Sequence, residues 1–287
     1  MAHRYSFFVL ILLGLLTGSS ATAADFEPGE VKVVLTFDMD AETVWWSDPE
    51  SMTGNPGSLS QGRYGPTVAL PGILDVLEKH DVDATFFIPA WVIEQYPYAV
   101  ASIVEAGHEI GAHGVKHESP SGLTPDEEKA VLQTSIEVIE RVTGKRPAGY
   151  RAPSWAFSNV TMNLVTESGF AYSSNFMDAD QPYVHDGTGG LVELPVSWVL
   201  DDAPYFWFDE DSWNKKIHSA ADVEAIWKEE FEAIRDKGGY FGLTMHPQII
   251  GRPARLAMLD RFVGWMKDQD GTRFVTGAAL AREVKGN

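Results

Sequence analysis

The 287-residue sequence contains no cysteine. Disulfides therefore contribute nothing to its stability, and any metal ligand must be His, Asp or Glu. A chain of this length can do without cross-links, because one large domain buries a substantial core. Positive charge is scarce: 22 Lys and Arg stand against 41 Asp and Glu, a formal net charge of −19. So negative a surface is ill-suited to nucleic acid or to anionic membranes, and neither is expected as a partner. It also suits a salty habitat. Beyond the N-terminus no segment is apolar enough to span a bilayer.

The N-terminus differs from the rest. Met1–Tyr5 carries Arg4 and His3, Phe7–Leu16 is an apolar run broken by Gly14, and Ala21-Thr22-Ala23 follows. A charged start, a short apolar middle and an A-x-A site form the pattern of a secretory signal peptide. Residues 1–23 are expected to be that signal, cut after Ala23 or Ala24, and the apolar run is short for a membrane anchor. Residues 24–287 then form one domain, exported to the periplasm or the medium and not inserted in a membrane.

Within those residues a short apolar strand alternates with an amphipathic helix. Val31–Asp38, Ala84–Ile88, Glu109–Ala112, Ala148–Arg151, Tyr172–Asn175, Leu191–Trp198, Tyr240–Met245 and Arg273–Thr276 read as strands. The clearest helix opens at Thr124-Pro125-Asp126-Glu127, a capping box with proline at its first position, and ends near Gly144. Another runs from about Ala221 to Lys237, before Gly238-Gly239. Alternation of this kind predicts an α/β fold with a parallel sheet, and about eight units favour a (β/α) barrel, distorted or incomplete. Two stretches, Thr43–Pro66 and Met177–Gly190, read as long loops, and a loop as long as the first is usually functional.

Polar residues gather at the strand exits, where α/β folds bind their ligands. On the first strand Val33, Leu35, Phe37 and Met39 share one face, and Thr36, Asp38 and Asp40 the other. Two adjacent carboxylates repel, and need a cation or a shared proton to coexist. Solvated loop acids are the plainer alternative. His113 and His117 follow the third strand at a spacing that suits a metal if they occupy one helical turn. His108 falls before that strand and reads as structural. Arg151 ends the fourth strand; if buried it needs a carboxylate, and Asp38 is the natural one. His246 follows an apolar strand and precedes a proline; taken alone it reads as a core histidine.

Together these residues resemble the polysaccharide deacetylase family, with the NodB homology domain of carbohydrate esterase family 4. Thr36-Phe37-Asp38-Met39-Asp40, His113 to His117, Arg151-Ala152-Pro153 and Leu243 to His246 are similar to its motifs, in order. The usual first motif has adjacent aspartates, whereas Met39 separates them here. That variant resembles a subgroup containing a Helicobacter peptidoglycan deacetylase-like protein and allantoinase-related enzymes. Glu193–Trp198 with Asp201-Asp202 matches a further motif loosely.

The resemblance implies a distorted (β/α) barrel of seven or eight strands spanning residues 24–287, and a hydrolase of non-peptide carbon–nitrogen bonds. It implies a divalent metal, zinc, on Asp40, His113 and His117. Asp38 would be the general base, Arg151 its partner and His246 the general acid, with Asp201 or Asp202 orienting His246. Trp45, Trp46, Tyr64, Trp155 and Trp198 are candidate groove walls, although aromatic residues more often pack a core. Three functions remain open: deacetylation of an N-acetylated glycan, hydrolysis of a small amide, ureide or cyclic imide, and binding of carbohydrate by a dead site. The complete polar set argues against the third.

Overall fold

The structure is a computed structural model, and it describes residues 24, 26–209 and 214–286. The expected signal peptide lies outside the described residues. Nine strands are present among those described: β1 (Val31–Asp38), β2 (Thr85–Ile88), β3 (Glu109–Ala112), β4 (Gly149–Tyr150), β5 (Tyr172–Ser173), β6 (Tyr183–Val184), β7 (Val192–Glu193), β8 (Gly239–Met245) and β9 (Thr272–Phe274). They form one sheet in the order β6-β7-β5-β4-β3-β2-β1-β8, with β9 added to β1. All pairings are parallel except β6 with β7. The sheet curls into a distorted, incomplete (β/α) barrel, as the strand rhythm predicts.

β1 is the centre of this arrangement. β8 pairs with it from Val31 to Phe37, which occupies one edge. The other edge is shared, β9 taking Val31–Val33 and β2 taking Thr36–Asp38. The alternation read from the sequence separates its two faces. Val33, Leu35, Phe37 and Met39 join a core shared with the helices, where they meet residues such as Phe86, Ile73, Trp227 and Phe262. Val34 joins a second cluster with Phe87, Tyr172 and Tyr240, closed by Leu280 and Val284 of the helix Gly277–Gly286. Burial on both faces explains the nearly continuous apolar run of β1. The large Tyr172 ring fits because Gly149 stands beside it; a Cβ at that position would collide with the ring.

The helix Pro125–Thr143 has its capping box at Thr124 and Glu127, and Gly144 ends it with φ +72°. The helix Ala220–Lys237 is capped by Ser219. Three segments differ from expectation. Thr43–Pro66 is not an open loop: a helical turn Ala41–Trp45 leads to the helix Pro56–Tyr64, whose cap Asn55 accepts from the Gly57 and Ser58 N–H groups. The glycines of that stretch masked an Asn-Pro helix start. Met177–Gly190 contains β6. Leu191–Trp198 contributes only Val192–Glu193 to the sheet; Pro195, which has no N–H to donate, follows soon after, and Trp198 opens a helical turn.

Candidate active site

The exits of β1, β3, β4 and β8 meet around a cavity of about 390 Å³ lined by Asp38, Asp40, His113, His117, Asp201 and His246. Asp38 is the last residue of β1, and Asp40 lies just past it. Met39 is fully buried among core side chains, so it anchors the chain while its two neighbours turn to the cavity. Ala41 then takes φ +52°, and the Asp40 carbonyl accepts from the Thr43 N–H and hydroxyl. The helix Pro56–Tyr64 packs on this turn at Gly62, where a Cβ would strike the Ala41 carbonyl.

The two acids have different surroundings. Asp38 Oδ1 accepts from Arg151 Nη1 at 2.7 Å, and both side chains are buried. The same guanidinium donates to Thr36 Oγ1 and Ser174 Oγ, each at 2.9 Å, and its Cζ lies 4.3 Å from the centre of the Phe87 ring. That buried charge is therefore both paired and hydrogen-bonded. Asp40 has no such partner. Its Oδ1 is buried without any hydrogen bond, 3.4 Å from His113 Nε2 and 3.9 Å from His117 Nε2. A carboxylate oxygen left bare between two imidazoles is what a cation site requires. His113 Nδ1 lies 2.8 Å from the Arg151 carbonyl, which can only accept, so Nε2 is left to face Asp40.

His113 and His117 do not share a helical turn. They sit in an irregular loop, in which Gly114 and His117 take φ +74° and +62°. Glu118 ties that loop by accepting from the Val115 and Lys116 N–H groups. The spacing brings the rings together, 5.1 Å apart and edge-on, by a different geometry from the one proposed. His108 lies away from the site; its Nδ1 accepts from the Ala84 N–H.

His246 faces the cavity from the end of β8. Its Nδ1 lies 2.7 Å from Asp202 Oδ1, and its N–H donates to Asp202 Oδ2. Asp202 reaches this position because Asp201 forms a parallel bridge to Thr244 on the outer edge of β8. Asp201 is spent on the Ala203 N–H at 2.6 Å, so Asp202 is the residue that orients the imidazole. Asp201, Asp202 and His246 also cluster as tightly as metal ligands do. There, however, the donor atoms of Asp202 and His246 are already committed to each other.

Burial would raise the pKa of Asp40, but His117, His113 and His246 outweigh it and hold it at about 2. Burial pushes His117 down to about 4 despite Asp40, so it is neutral near pH 7, as a metal ligand must be. Burial opposes the charged form of His113, yet Asp38 and Asp40 raise it overall. His246 is raised well above its usual value, because Asp202 outweighs the cost of burial.

Of the aromatic candidates, Trp155 and Trp198 line the cavity, their rings 4.4 Å apart, and Trp198 is 52% exposed. Ser154 and Trp155 take φ +53° and +52°, unusual backbone for such residues and common at functional sites. Trp45 stacks behind Trp207, Trp46 packs on Trp91, and Tyr64 lies under Arg252. Sequence reasoning missed Trp207, Ser174 and Asn175. Asn175 Oδ1 accepts from the Ala152 N–H and its amide donates to the Tyr150 carbonyl, which braces the segment carrying Arg151. Two polar residues at the exit of β5 were the available signal.

Residues 63–173 match a family profile described as Polysaccharide deacetylase. The peptidoglycan deacetylase of Helicobacter pylori is 32% identical over 280 residues, which cover 88% of this chain and 95% of the relative. The crystal structure of a candidate polysaccharide deacetylase from Mycobacterium smegmatis is 38% identical, with a TM-score of 0.87 over 93% of this chain and 96% of that one. PuuE allantoinase superposes with a TM-score of 0.77 over 90% of each chain at 23% identity, a likeness of fold.

Proposed function

This chain belongs to the polysaccharide deacetylase family, and on that premise we propose that it is an exported, metal-dependent enzyme that removes N-acetyl groups from amino sugars of a polysaccharide or peptidoglycan. It is a hydrolase of carbon–nitrogen bonds other than peptide bonds. The observation that carries the mechanism is the contrast between the acids of the first strand: Asp38 is paired with Arg151 through one oxygen, while Asp40 Oδ1 is left bare between two histidines.

A divalent ion, which we assign as zinc, would be held by Asp40, His113 and His117, and would supply a Lewis acid that polarises the acyl carbonyl and acidifies water beside it. Asp38 is the general base. Arg151 occupies its Oδ1, so Oδ2 is the oxygen that takes the proton of the attacking water. His246 is the general acid. Asp202 fixes its Nδ1, which leaves Nε2, 3.8 Å from Asp40 Oδ2, to protonate the amine nitrogen as the C–N bond breaks. The products are acetate and a free amino sugar. Trp155 and Trp198 offer apolar faces to a sugar ring at the cavity mouth.

The test is to incubate the zinc-loaded protein with N-acetylated chito-oligosaccharide and with peptidoglycan. Acetate and primary amine are expected in equal amounts. Opening of a ureide or cyclic imide with no acetate from either glycan would move the activity to small amides. We propose also that export removes residues 1–23 or 1–24, so the N-terminus of the exported protein should be Ala24 or Asp25. An intact Met1 on membrane-bound material would make the apolar run an anchor.

A further inference from the structure

A second cavity, of about 320 Å³, shares Trp207 with the first as a lining residue. Its lining includes Trp45, Gln248, Arg252 and Arg255, none of which the proposed mechanism uses. Gln248 lies two residues beyond His246 and is 3% exposed, yet neither Nε2 nor Oε1 of its amide has a hydrogen-bond partner. The buried indole Nε1 of Trp45 is also unpartnered. Buried polar atoms are rarely left bare, and these three belong to two residues of the cavity lining, with the atoms themselves enclosed behind it.

The arginines indicate its charge. Arg252 lies over Tyr64, its Cζ 3.7 Å from the ring centre, and Arg255 over Phe206 at 4.4 Å. Stacking holds each guanidinium plane while leaving its edge of N–H donors available. Arg255 spends one donor on the Ile249 carbonyl, and no carboxylate lies within 4 Å of either guanidinium among the described residues. Burial lowers the pKa of Arg255, and the charge of Arg252 adds to this against the pull of Asp202. The lining thus offers two guanidinium groups, with the unpartnered indole of Trp45 and amide of Gln248 enclosed behind them. That donor-rich set matches a planar anion.

We propose that this second cavity is a carboxylate-binding subsite, which seats an acidic substituent of the molecule whose acyl group lies at Asp38 and Asp40. Its place beside an acyl site rests on the function proposed above; its choice of a carboxylate does not. The substrate class narrows accordingly, to acylated amino sugars that carry an acid group.

Calorimetric titration with three probes that have no acyl group to lose tests this without turnover. They are glucosamine, muramic acid (the same sugar with an ether-linked lactate) and free lactate. Muramic acid is expected to bind about 10- to 100-fold more tightly than glucosamine, the usual gain from charge-assisted hydrogen bonds. The double variant Arg252→Gln/Arg255→Gln should lose that preference. Arg252→Gln alone, partly exposed at the start of its helix, should lose part of it and serves if the double variant melts. Lactate binding as tightly as muramic acid, and lost in the variants, would keep the carboxylate site but overturn the claim that its occupant is part of the substrate. Equal binding of both sugars with no lactate binding would overturn the subsite. Failure to release acetate from any glycan would overturn the function proposed above and leave this result standing.

Discussion

Asp38 and Asp40 are the same residue type, two positions apart, and the structure gives them different neighbours. In Asp40→Asn the charge between His113 and His117 disappears, so metal and activity should be lost together. In Asp38→Asn the metal should stay while turnover falls about 10²–10⁴-fold, the usual cost of losing a general base. Stranding Arg151 could itself cost about 3–5 kcal/mol, so a melting curve must precede the rate comparison. Metal content and turnover of the two variants, side by side, decide the roles; Asp38→Asn without metal and Asp40→Asn with it would reverse them. Asp202 admits a test by pH. It raises the pKa of His246, so the imidazolium persists through neutral pH and is lost only as pH climbs through that raised value. In Asp202→Asn that support is gone, and the alkaline limb of the kcat/KM profile should move to lower pH. Superimposable profiles would show that Asp202 does not govern the acid. The acids, histidines and arginine could be picked out in the sequence because each ends or follows an apolar strand. The choice between Asp201 and Asp202 could not, since it depends on the bridge from Asp201 to Thr244, a contact between segments 43 residues apart.

Among the elements, legibility followed local chemistry. The helix Pro125–Thr143 carries its own start and stop, so its bounds were readable. β4, β5 and β7 are two residues long, and only their neighbours in the sheet make them strands. The helix Pro56–Tyr64 was hidden by its glycines, and Gly62 shows why one of them is there. Gly62→Ala would gain about 1 kcal/mol in helix propensity. The new Cβ would meet the backbone of Ala41, which cannot swing aside as a side chain can, and overpacking costs about 1–3 kcal/mol. The collision should win, giving a lower melting temperature and weaker metal binding, because Ala41 follows Asp40 directly. A stable variant with full metal content would show that the turn can yield. Thr124→Ala is the contrasting case: loss of that cap should cost about 1 kcal/mol and leave kcat unchanged, since the helix start lies away from the cavity.

For the whole molecule, the net charge of −19 has a thermodynamic consequence. Like charges over one surface repel and weaken the compact state, and salt screens them over about 10 Å at 0.1 M. Raising sodium chloride from about 0.05 to about 0.5 M should therefore raise the melting temperature. A flat or falling trend would mean that local ion pairs, such as those of Asp260 and Glu224, dominate instead. The barrel class was legible from the rhythm of strands and helices. The sharing of one edge of β1 between β2 and β9 was not, because register is a long-range property. That shared edge bears on how the molecule breathes. β1 is hydrogen-bonded on both sides, so its central amides should exchange with solvent only when the whole protein opens. His117 sits on an irregular loop and Trp155 and Trp198 on single helical turns, whose amides can exchange through small local openings. One wall of the cavity should thus exchange as slowly as the fold itself, and the facing wall faster. A bound ligand should slow exchange chiefly along that facing wall, and protect β1 only by as much as it stabilises the protein overall.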